Sequence, residues 1–104
     1  RQWDKLETKL MKWLETIELR SVECHRELLE SQLQQLLLDV NKETEAQAIA
    51  IYHRVMIDSD VSIHLFHDST HVERGGSSLG VRLVSSLKEF GLVNHRVWIE
   101  MYSK

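Results

Sequence analysis

The residues with the clearest chemical potential lie in the second half of the chain. His64, His67 and His71 are spaced three and four apart. On a helix that spacing would stack three imidazoles on one face, where they would hold Zn²⁺ with Asp68 or water as the fourth ligand. No Cys lies near them, and spacing by itself is weak evidence for a metal. A polar helix end leading into a loop explains the same residues, so no metal and no other cofactor is expected.

Other patterns also fall short of a catalytic site. Ser, His and Asp occur together between Asp58 and Thr70, but a triad needs a base oriented by a third group and an oxyanion hole. Cys24 and His25 are neighbours, so on a helix they would point about 100° apart and form no dyad. Gly75-Gly76-Ser77-Ser78-Leu79-Gly80 has the look of a phosphate loop. It lacks the Lys-Ser/Thr that follows such a loop and the strand that precedes it. The expectation is a non-catalytic module.

The elements that carry these residues are read from breakers and periodicity. There is no Pro among the 104 residues, and the first Gly is Gly75. Tight β-turns draw on Gly and Asn-Gly, whereas helices exclude Gly and Pro. Trp3, Leu6, Leu10, Trp13, Leu14 and Ile17 follow steps of three and four, with Lys5, Glu7, Lys9, Lys12 and Glu15 on the other side. That predicts a first helix. Leu29, Leu33, Leu36, Leu37, Val40, Thr44, Ala48, Ile51 and Val55 predict a second. After the glycines, with Ser77 or Ser78 as N-cap, Leu79, Leu83, Leu87, Phe90, Val93, Val97 and Met101 predict a third, kinked near Gly91.

The expected fold is therefore all-α, a three-helix antiparallel bundle over residues 1–104. The alternative is α+β with a small three-stranded sheet of residues 48–57, 61–66 and 96–102, and a hairpin at Asp58-Ser59-Asp60. Alternating Val and Ile in those runs support it. A further reading is a dimer held by a coiled coil of residues 1–55.

The opening Trp3-x-x-Leu6-x-x-x-Leu10-x-x-Trp13-Leu14-Glu15-x-x-Glu18 resembles a spectrin repeat. The first helix of that family carries an aromatic residue, a Leu, then Trp-Leu followed by acids. Leu36-Leu37 and the run from Val40 to Val55 are similar to its second helix, and Trp98 stands where the third helix passes into a next repeat. Gly91, the Asp58–Asp60 patch and the His-rich stretch 64–71 depart from the pattern. The resemblance implies a scaffold module cut from a longer protein of the spectrin, dystrophin, nesprin, plakin or A-kinase anchoring kind. It implies protein partners, either helical scaffold or cytoskeletal proteins or adjacent repeats, and a cytoskeletal or nuclear-envelope location.

Composition bounds the partners. Apolar residues are 42%, charged residues 28%, and net charge is −3; that excludes a disordered tail and gives no nucleic-acid footprint. No apolar run approaches the roughly 20 residues that span a bilayer, so no membrane insertion is expected. Nor is there a signal-peptide pattern. A lone Cys24 fits a reducing, cytoplasmic compartment. Segment 27–68 is acidic between mildly basic flanks. The expected protein-interaction residues are Glu30, Asp39, Glu43 and Glu45, facing a basic partner, with Trp3 and Trp98 as apolar patches at the chain ends.

Overall fold

The computed structural model describes residues 10–21, 26–40 and 48–104, with the backbone alone at 39 and 40. The order of elements is β1 (Met11–Ser21), α1 (Arg26–Val40), β2 (Ala48–Arg54), β3 (Ile57–Ser69), α2 (Ser78–Leu87) and β4 (Gly91–Ile99). The four strands form one sheet in the order β2-β3-β1-β4. Every neighbouring pair is antiparallel. Each β-α-β connection therefore skips one strand position, which a strand of the other unit fills. This is the split β-α-β topology.

The all-α bundle, the coiled coil and the spectrin-repeat resemblance are overturned by this sheet. The chain is α+β, with four strands where the alternative reading had three. The reason lies in two polar residues at inward positions. Trp13, Glu15, Ile17 and Leu19 of β1 are all buried, which is the period of two that a strand requires. With Glu15 counted as solvent-facing and Leu14 as core, the same segment mimics a helical stripe. The third segment divides in the same way. It is helical only to Leu87; beyond it Val93, His95 and Val97 alternate inward along β4. Gly91 starts that strand rather than kinking a helix. A Cβ there would stand 1.9 Å from the Arg20 carbonyl oxygen, so the close approach of β4 to β1 requires glycine.

In the middle segment, Leu29, Leu33 and Leu36 do form the helical stripe expected of them, and α1 lays it on the sheet. Residues 48–69 are a hairpin. It turns at Val55-Met56, between the paired Arg54 and Ile57, rather than at Asp58–Asp60. Met56 holds φ +69°, a left-handed conformation that a non-glycine residue adopts at a cost of about 1–2 kcal/mol. His53 pairs with Val61, so residues 58–60 bulge out of the β2–β3 ladder, while Asp60 stays paired with Arg20 of β1. Arg26 at the start of α1 reaches Asp58 in that bulge at 2.7 Å.

Both helices cover one side of the sheet. Ile17, Leu19, Val61, Ile63 and Leu65 from the central strands pack there on Leu29, Leu36, Leu79, Leu87 and Phe90. No helix among the described residues is long and apolar enough to cross a membrane. The other side of the sheet carries no element of the described chain.

Candidate functional site

The two sides of the sheet differ in an unusual way, and each holds one candidate site. The covered side buries a carboxylate. Glu15 is 0% exposed, and its two oxygens accept four hydrogen bonds. Oε1 accepts from the Ser77 amide at 3.0 Å and from His95 Nε2 at 2.9 Å. Oε2 accepts from Ser77 Oγ at 2.5 Å and from His67 Nε2 at 2.6 Å. Burial pushes this carboxyl up, but the hydrogen bonds from Ser77, His95 and His67 outweigh it and hold the group below its ordinary value. An ionised carboxylate only accepts, so both imidazoles present a donating Nε2–H.

The glycine-rich stretch builds this arrangement. Ser77 caps α2, its hydroxyl accepting from the Gly80 amide at 3.1 Å. A Cβ on Gly80 would stand 2.0 Å from Glu15 Oε1, and one on Gly76 would stand 2.2 Å from His95 Cε1. Only hydrogen fits at either place. The phosphate-loop likeness of 75–80 thus has a physical basis, since the loop and helix N-terminus do cradle an anion. That anion is the chain's own Glu15. Trp13 completes the cluster, stacked on the His67 ring at 4.0 Å and donating to Ser69 Oγ at 2.9 Å.

The three histidines singled out by spacing do not meet. They lie on a strand and the loop after it, where a spacing of three puts His64 and His67 on opposite sides of the sheet. His64 is on the open side beside Ser62 and Tyr52. His71 is in the loop, its carbonyl accepting from Ser69. Among the described residues no group of three such side chains is placed to hold a metal ion.

The open side presents side chains in rows across the strands, fixed by register. One row reads Ala48, Phe66, Leu14, Trp98. Phe66 and Trp98 are 38% and 53% exposed. Together with Lys12, Asp68 and Glu100 they border a trough of about 420 Å³ above Leu14. Trp98 Nε1 donates to Thr16 Oγ1 at 3.1 Å, which ties the indole to the neighbouring row of this side. The next rows carry Ala50, His64, Thr16, Arg96 and then Tyr52, Ser62, Glu18, Asn94. Arg96 pairs with Glu18 at 3.0 Å, and Arg54 with Asp60 at 3.4 Å.

The expected interaction residues are scattered by this fold. Trp98 is exposed on β4, inside the sheet's open side and not at a junction between helical repeats. Glu30 lies on the exposed side of α1, bonded to Arg26 one turn away. Asp39 falls in the last turn of α1, and its side chain lies outside the described residues, as do Trp3, Glu43, Glu45 and Cys24. The acidic helix face is therefore reduced to Glu30 among the described side chains, and that residue has a partner of its own. Sequence reasoning missed Glu15 and His95, and it missed the outward row of Leu14 and Phe66. The alternation Trp13-Glu15-Ile17-Leu19 was the available signal.

No family model, no curated protein and no solved structure matches the chain.

Proposed function

We propose that this chain is a non-catalytic binding module whose contact surface is the open side of its sheet, and that its partner is a protein surface. The observation that carries the reading is the outward row Phe66-Leu14-Trp98, with Tyr52 two rows away at 51% exposure. An antiparallel sheet with one side in water ordinarily turns polar residues outward. A contiguous apolar patch with a charged rim marks a contact surface, and Trp and Tyr are favoured at its energetic centre.

The buried cluster supports the same conclusion from the other side. A carboxylate has about four lone-pair positions, and Glu15 fills them with Ser77, His67 and His95. It keeps no position for a substrate proton and lies under α2. Its role is to fix the end of α2 and the register of β1. The cytoskeletal and nuclear-envelope locations rested on the helical repeat and have no support in this fold.

Site-specific photo-crosslinking tests the reading. With p-benzoylphenylalanine in place of Phe66, irradiation in cells is expected to give a discrete protein adduct. The same group in place of Ser85, on the exposed side of α2, is expected to give none. Equal labelling at both positions, or none at position 66, refutes the assignment of this surface.

A further inference from the structure

Resting on that reading, we infer that the partner is a second copy of this chain, docked open side to open side about a two-fold axis that runs parallel to the strands between β1 and β3. The two central strands carry a self-complementary outward pattern. Their outward residues pair as Lys12 with Asp68, Leu14 with Phe66, Thr16 with His64, Glu18 with Ser62 and Arg20 with Asp60. Such an axis exchanges β1 and β3 between copies while keeping each row in place. Lys12 then faces the partner's Asp68, Leu14 faces the partner's Phe66, and Arg20 faces the partner's Asp60. Each contact occurs twice, as an isologous interface requires.

The outer strands fit the same operation. Trp98 comes over the partner's Ala48, and the Arg96 stem over the partner's Ala50. The largest side chain on the surface thus meets one of the smallest, which is how facing sheets about 10 Å apart interdigitate. Asn94 meets the partner's Tyr52. No like charges meet in any row. An axis perpendicular to the strands through the central Thr16–His64 row does worse, because it sets Leu14 on the partner's Glu18 and Phe66 on the partner's Ser62.

The area is sufficient. Four strands about 4.8 Å apart and about nine residues long at roughly 3.3 Å each give a surface on the order of 550 Å². Two copies bury roughly twice that, just above the ~1,000 Å² that a specific interface needs. Strands of the two copies would lie within about 30° of each other, as in aligned sheet packing.

The test uses two variants of the full chain, Lys12→Asp and Asp68→Lys, followed by analytical ultracentrifugation. The wild type is expected to sediment as a dimer at micromolar concentration. Each variant alone sets like charges against like and is expected to sediment as a monomer. Mixed in equal amounts they restore both cross-copy pairs, and a one-to-one heterodimer is expected. Charge pairing within one chain cannot produce that rescue, because each chain still carries its own defect. Ala48→Lys, at an exposed edge position, leaves the core untouched and is expected to weaken the dimer at least tenfold. A wild type that stays monomeric overturns the proposal, as does a mixture that stays monomeric while both variants melt like the wild type. In those cases a photo-adduct at position 66 to a different protein keeps the binding surface and replaces its occupant. No adduct at all removes both.

Discussion

Replacing Glu15 with Gln tests the central electrostatic argument at nearly constant volume. The amide oxygen can still accept from the Ser77 amide and His95 at one end. At the other end an NH₂ group would confront two donors, His67 Nε2–H and the Ser77 hydroxyl. If the hydroxyl turns to accept from the NH₂ group on its second lone pair, beside Gly80, its own proton loses the buried carboxylate it donates to. Two charge-assisted hydrogen bonds are lost, at about 1.5–3 kcal/mol each, and release from burying a charge returns part of that. The expected loss is roughly 2–4 kcal/mol. Urea unfolding at neutral pH measures it as a lowered midpoint with an unchanged slope. The pH dependence gives a second signature. Because the folded carboxyl titrates below its ordinary value of 4.5, its contribution is fully present above that value. It is lost as pH falls through the lower, folded value. The gap between wild type and Glu15→Gln should therefore close in acid below about pH 4.5 and stay constant above it. A loss under about 1 kcal/mol at neutral pH would refute the claim that this carboxylate is charged and fully bonded.

Gly80→Ala is expected to destabilise the fold by about 1–3 kcal/mol, since the added methyl collides with Glu15 Oε1. In a Glu15→Ala background the same change should cost far less, and a double-mutant cycle by urea unfolding reads the coupling. Met56→Asn is expected to stabilise the hairpin by about 0.5–1 kcal/mol, because Asn tolerates the left-handed conformation. Met56 is 95% exposed, so no packing is lost, and an unchanged or lowered melting temperature would contradict the turn geometry.

Parts of this fold were legible in the sequence and parts were concealed by particular residues. Leu29, Leu33 and Leu36 gave α1 its stripe, and the glycines with Ser77 gave the start of α2. Alternation in Val61-Ser62-Ile63-His64-Leu65-Phe66 carried the β3 signal, and Ala48 to Ile57 carried that of β2. They were outweighed by the scarcity of Gly and Pro, a poor guide here because Val55-Met56 turns the hairpin without either. For β1 the obstacle was Glu15, since a carboxylate is almost never fully buried unless its partners are brought to it. Those partners, Ser77 and His95, lie 62 and 80 residues away. No local pattern reports such a distance. The spacing of His64 and His67 is ambiguous on a different ground: whether it sets them on one face depends on whether the period is 3.6 or 2.

The buried carboxylate and the exposed aromatic row are two consequences of one choice of register. Slipping β1 by a single residue would carry Leu14 to the covered side and Glu15 to the open side, but would turn over every other residue of the strand as well, Thr16, Glu18 and Arg20 inward among them. Two things oppose the slip. Ile17 and Leu19, now fully buried, would be turned into water, at about 1.5–3 kcal/mol each. Ser77, His67 and His95 would lose the acceptor they converge on, leaving buried donors unpaired at about 1–3 kcal/mol apiece. The polar cluster therefore acts as a register pin for β1, and through the ladder it fixes which residues of β3 and β4 stand beside Leu14. A strand pinned in this way keeps Leu14 outward between Phe66 and Trp98. An exposed apolar row held in place by buried polar groups is costly for an isolated domain. It becomes favourable once a matching surface covers it, and the cross-strand pairs of β1 and β3 make the same surface on another copy a match.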